Sequence, residues 1–131
     1  MIAVSDLESI SAARLADVKA LLSAGRFNGA VYLCGYAVEV ALKARICRTL
    51  NWTGFPSSNA EFQNLTSFRT HDLDVLLRLS GLEASIRQRH FSDWNRLASW
   101  KVETRYNVIG TASQADTETM IDAATALLAL I

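Results

Sequence analysis

The stretch Ala30-Val31-Tyr32-Leu33-Cys34-Gly35-Tyr36-Ala37-Val38-Glu39-Val40-Ala41-Leu42-Lys43-Ala44 decides the fold. It sits inside a run from about Arg26 to Leu50 that predicts one helix, roughly 37 Å long at standard rise. Phe27, Val31, Cys34, Val38, Ala41 and Leu42 make one apolar face, and Ala30, Leu33, Ala37, Val40, Ala44 and Cys47 make another. A helix that is apolar nearly all round belongs in the middle of a bundle. One narrow stripe departs from this: Tyr32, Tyr36, Glu39 and Lys43 share a face at spacings of four, three and four. Glu39 stands four residues before Lys43, the favourable order for an ion pair.

On the N-terminal side, Leu7, Leu15, Val18 and Leu22 repeat at helical spacing and predict a first helix from about Ser5 to Ala24. Ser5 or Asp6 can cap its start, and Gly25 stands where a glycine ends a helix. On the C-terminal side, Asn51 to Thr70 reads as one long irregular stretch, broken by Gly54 and Pro56. Its Phe55, Phe62, Leu65 and Phe68 predict that it folds back on the body.

A short third helix follows, capped by Thr70, with Leu73, Leu76 and Leu77 facing the core and Gly81 ending it. A fourth helix is predicted from about Glu83 to Ala98, with Ile86, His90, Trp94 and Leu97 along one side. Trp100 to Gly110 reads as part helix, part loop. Thr111 and Gln114 form a capping-box pattern before a last helix carrying Ile121, Ala124, Leu128 and Ile131. These readings predict one all-α domain over residues 1–131.

Composition narrows the function classes without choosing among them. Half of the 131 residues are hydrophobic, enough for a real core, and one Pro with six Gly argues against a disordered chain. Formal net charge is zero, which offers nothing for a non-specific polyanion binder. Arg outnumbers Lys ten to three, a bias that suits carboxylate or phosphate recognition but that coding composition also produces. Cys34 and Cys47 lie 13 positions apart in one helix, roughly 20 Å at standard rise, so they cannot bridge there. They read as buried thiols of a reducing compartment. The N-terminus carries Asp6 and Glu8 and no apolar signal region, and no apolar run approaches membrane-spanning length. A cytoplasmic protein with no membrane contact is expected.

The chain has no Gly-rich phosphate loop, no nucleophile elbow and no zinc-ligand spacing. No metal and no cofactor is expected. His71, beside Asp72, reads either as a general base oriented by a carboxylate or as a polar helix-start residue. His90 reads as a core or interface histidine with one partner. The stripe of Tyr32, Tyr36, Glu39 and Lys43 reads either as a structural Glu39–Lys43 ion pair or as the floor of a groove offering Tyr hydroxyls, one anion and one cation. Trp100, Glu103, Arg105 and Tyr106 suit phosphate plus base stacking, and equally an interface or an Arg–Glu brace.

Taken together, Gly35-Tyr36-Ala37-Val38-Glu39 with Leu42-Lys43, then His71-Asp72-Leu73, then Trp100 and Arg105-Tyr106, resemble the HEPN family, the higher eukaryotes and prokaryotes nucleotide-binding domain. The resemblance runs from about residue 5 to 131. It implies an antiparallel, up-down four-helix bundle with an additional short helix, a homodimer, and a prokaryotic cytoplasmic protein. It further implies a nucleotidyltransferase-type partner, often in a toxin–antitoxin pair, or metal-independent ribonuclease activity. The ribonucleases of that family carry an Arg followed after four to six residues by a His. Here the family-matching Arg105 is followed at 110 to 112 by Gly110, Thr111 and Ala112, so that motif is absent.

A non-nucleolytic HEPN domain is therefore expected, a binding partner of a nucleotidyltransferase-type protein or of a nucleotide or RNA. The expected ligand-binding residues are Tyr36, Glu39, Lys43, Trp100, Arg105 and Tyr106. Two alternatives stay open. One is a ribonuclease with a divergent site that joins His71 and Arg105. The other is a helical scaffold making only protein–protein contacts.

Overall fold

In the computed structural model, which describes all 131 residues, the chain enters through a two-residue strand, β1 (Ile2–Ala3), and turns at once into α1 (Val4–Ser23). The helix starts one residue before the expected Ser5. Ala3 occupies the cap position, and no side chain caps the first turn. Gly25 turns the chain with φ of 73°, and the central helix α2 follows (Phe27–Leu50). The C-terminal half of α2 pairs with the N-terminal half of α1. Arg48 bonds Glu8, and deeper down the buried Ser11 Oγ donates to the Ala37 carbonyl at 2.8 Å. The two helices are thus antiparallel.

The irregular stretch folds back as expected. Its short strand β2 (Gly54–Phe55) pairs antiparallel with β1, Ile2 opposite Phe55 and Ala3 opposite Gly54. Periodicity gave no warning of this strand pair, because two residues are too few to carry a period. Phe55 is buried, Phe62 packs edge-on against it, and Trp52 packs against Phe68. The Glu61 carboxylate gathers the Met1 ammonium at 2.6 Å and the amides of Ser57 and Ser58 at 2.7 and 3.0 Å. Those donors, the ammonium first, hold its pKa down at about 2.

The next helix, α3 (Leu73–Ser80), is capped by Asp72 rather than Thr70. The Asp72 carboxylate accepts from the amides of Asp74 and Val75, while Thr70 Oγ1 accepts from the Asp72 amide. His71 at its start meets Glu39 of α2, and Ser80 at its end accepts from Thr49, so α3 runs parallel to α2.

The expected fourth helix is in fact two, α4 (Glu83–Arg89) and α5 (Phe91–Ala98), with a break at His90 where φ is −132°. The bend lets Ile86 on one piece and Trp94 and Leu97 on the other all reach the core. His90 itself is only partly buried and faces Asp93 rather than the apolar stripe. One carboxylate of α3 ties both pieces: Asp74 Oδ1 accepts from Arg87 at 3.1 Å and from Trp94 Nε1 at 2.9 Å. After α5, Val102–Tyr106 forms a 3-10 turn. The last helix, α6 (Gln114–Leu128), is capped by Ser113 and not by a Thr111–Gln114 box. Cys34 of α2 lies against the Met120 carbonyl and Arg48 reaches Ile131, so α6 runs parallel to α2.

The result is the expected all-α helical bundle. Helices α1, α2, the α4–α5 pair and α6 alternate in direction around the core, with α3 as the additional short helix. The core centres on α2, whose Ala30, Cys34, Val38, Leu42 and Ile46 meet Leu76, Leu77, Trp94 and Leu127 from the surrounding helices. Both cysteines are buried free thiols, and burial pushes Cys34 up to about 12. No helix is long and apolar enough to cross a membrane.

Candidate functional site

Glu39 is the centre of the polar stripe, and it is 1% exposed. A buried carboxylate is costly unless it is paired. Its Oε1 accepts from Lys43 Nζ at 2.7 Å, the pair expected from the i, i+4 spacing. The same oxygen is 2.8 Å from His71 Nδ1, 32 residues away. Its other oxygen, Oε2, is buried with no partner. Lys43 is turned inward: its side chain is 17% exposed and its ammonium stands 5.4 Å from the centre of the Phe55 ring. His71 is 59% exposed, so its ring is held from behind by Glu39 and open in front.

In front of His71 lies a cleft of about 610 Å³, lined by Arg69, Thr70, Asp72, Trp100, Lys101 and Glu103 among others. Arg69 and Lys101 are among its lining residues, and the Arg69 guanidinium stands 5.9 Å from the centre of the Phe62 ring. Its carboxylates differ in freedom: Asp72 is occupied by its capping bonds and Asp74 by Arg87 and Trp94, whereas Glu103 is exposed. Trp100, the floor of this end, is buried and lies flat on Gly35 of α2, where any β-carbon would collide with its ring. Its Nε1 donates to the Tyr32 carbonyl at 3.1 Å, and its ring stacks near Tyr32. This explains the glycine in the middle of an otherwise unbroken helix. The close approach of the indole requires it.

Arg105 and Tyr106 form a separate cluster. Both are exposed, with the guanidinium 4.9 Å from the centre of the Tyr106 ring and beside the Tyr32 hydroxyl. The Tyr106 phenol, and more weakly Tyr32, raise the basicity of Arg105 further. No hydrogen bond or ion pair joins Arg105 to His71, or Glu103 to Arg105. Tyr36, half-buried, packs against the core.

Of the residues expected in a site, His71 and Trp100 line the cleft, Glu39 and Lys43 lie buried behind His71, and Arg105 and Tyr106 lie outside it. Arg69 and Lys101 were missed by the sequence reading. Their only signal was position, each being next to a segment already singled out, Thr70–Leu73 and Trp100. No group of three His, Cys, Asp or Glu side chains gathers that could hold a metal ion. Comparison of the chain with protein-family models, with curated proteins and with solved structures returns no match.

Proposed function

We propose that this chain is a HEPN-type domain that binds a phosphate-bearing ligand, a nucleotide or RNA, in the cleft in front of His71. The observation that carries the reading is the convergence there of His71, Arg69 and Lys101 above a buried Glu39–Lys43 pair. Two cationic residues beside an imidazole in an open cleft suit an anion, and Arg and Lys side chains are suited to phosphate. Lys43 acts behind the cleft, fixing Glu39, rather than on the ligand.

The exposed Arg105 and Tyr106, followed by Val108 and Ile109 at 75% and 86% exposure, form the face we assign to a protein partner. That partner is a second copy of the chain or a nucleotidyltransferase-type protein, as in prokaryotic toxin–antitoxin pairs of the cytoplasm. The ligand is bound and not cut, since the Arg-x4-6-His motif of the family's ribonucleases is absent.

Thermal shift with a panel of nucleotides and short RNAs tests this. A binding ligand at a hundredfold excess over its dissociation constant adds about 2.7 kcal/mol of apparent stability. The shift should be lost in Lys101→Ala and kept in Arg105→Ala. No shift with any member of the panel would leave the scaffold reading. A second reading is favoured by one contact, the Glu39-held imbidazole of His71, which is how a general base is oriented. RNA cleavage by the purified protein that disappears in His71→Ala would replace binding by a ribonuclease with a divergent site.

A further inference from the structure

The Glu39–His71 contact fixes more than the position of a ring. Glu39 is ion-paired with Lys43 and has no proton to give, so the hydrogen in the 2.8 Å contact belongs to His71 Nδ1. In the neutral imidazole, Nε2 then carries a lone pair and can only accept. The unpartnered Oε2 shows that Glu39 has accepting capacity to spare, so nothing on its side forces the ring to the other tautomer. His71 is exposed, and the cleft it lines is where Arg69 and Lys101 offer only donors.

With the imidazole neutral, the cleft therefore sets an uncharged acceptor among lining residues that include Arg69 and Lys101. A carboxylate in the same place would also accept from a hydroxyl, but it would repel a phosphate next to that hydroxyl. Imidazole accepts without that repulsion. Glu103, the one free carboxylate of the lining, is exposed to water, where its field is screened.

We propose that His71 Nε2 accepts a hydrogen bond from a ligand hydroxyl adjacent to a phosphate, so that the cleft selects ribose-type phosphates over their deoxy counterparts. Glu39 is the positioning residue, setting the tautomer. This inference rests on the reading of the cleft as a phosphate site, and its test separates the two.

The probes are adenosine 3′-monophosphate and its 2′-deoxy analogue, titrated calorimetrically into the wild type, His71→Ala and Glu39→Gln. The wild type should prefer the ribonucleotide by about three- to tenfold, the range of one net hydrogen bond. In His71→Ala the ribonucleotide should lose its advantage over the deoxynucleotide, so that the preference falls to about onefold. In Glu39→Gln the amide can donate to Nδ1, which moves the ring proton to Nε2 and turns an accepted hydrogen bond into a donated one, so the imidazole ¹⁵N shifts of this variant should report the hydrogen on Nε2. Imidazole ¹⁵N chemical shifts read the tautomer directly in the unaltered protein. They should show the hydrogen on Nδ1. Equal wild-type binding of both nucleotides, or a hydrogen found on Nε2, would overturn the selectivity and leave the phosphate site standing. Binding of neither would remove the phosphate site and the selectivity with it.

Discussion

Two polar clusters flank Trp100, and they differ in what holds them. Glu39, Lys43 and His71 are drawn from α2 and the start of α3, with the carboxylate buried and shared between both partners. Arg105 and Tyr106 lie side by side on one 3-10 turn, exposed, and their mutual contact is local. The first arrangement exists only when the bundle is folded, and the bundle in turn depends on it. The second is exposed, and its one tie to the body is Arg105 beside the Tyr32 hydroxyl of α2. Long-range, buried polar contacts couple stability to function, and short-range exposed ones leave the two separable.

Mutations sharpen that contrast. The largest effect is expected from Glu39→Ala, which strands Lys43 and frees His71. It should cost about 3 kcal/mol, the lower end for breaking a buried pair because Lys43 can still reach water. Chemical denaturation measures this, and a loss below 1 kcal/mol would mean that the pair is not buried in solution. Gly35→Ala should cost about 2 kcal/mol through overpacking against Trp100. It should also blunt ligand binding, since Trp100 lines the cleft. Unchanged stability would show that the indole does not lie on α2. Arg105→Ala and Tyr106→Ala, by contrast, should each stay within about 0.5 kcal/mol of the wild type. A greater loss would contradict the view that this exposed cluster adds little to the stability of the bundle.

The smallest effect concerns Glu61, which ties the 51–72 stretch to Met1. Its pKa is held at about 2, below its ordinary 4.5. A lowered folded-state value means that its stabilisation is fully present above pH 4.5 and is lost as the pH falls towards 2. The melting-temperature difference between the wild type and Glu61→Gln should therefore shrink over that window. A difference that is flat with pH would mean that the carboxylate is not held by the ammonium.

Local pattern made the bundle legible and long-range pairing stayed hidden. The all-round apolarity of α2, the leucines of α1 and α3, and Gly25 and Gly81 mark elements that the structure contains. The break at His90 was not legible, because no Gly or Pro stands there and Ile86, Trp94 and Leu97 keep a helical period across it. Asp72 and Ser113 displaced the expected caps Thr70 and Thr111 within two residues, since several capping residues compete at each helix start.

The Glu39–Lys43 pair was legible from spacing, while its meeting with His71 depends on how the 51–72 stretch returns to α2, which no local rule specifies. One signal was present all the same. A Glu in an otherwise buried helix has more accepting capacity than a single Lys fills, so a second donor was to be looked for. His71 and His90 were the only uncommitted imidazoles in the chain.

The most direct test is to follow backbone amide resonances of the intact protein during titration with adenosine 3′-monophosphate. Shifts concentrated at Arg69 to Asp72 and at Lys101, with Arg105 to Ile109 unmoved, are the predicted result and would place the ligand in the His71 cleft. Shifts confined to Arg105 and Tyr106, with His71 and Lys101 silent, would contradict it and move the ligand to the exposed cluster.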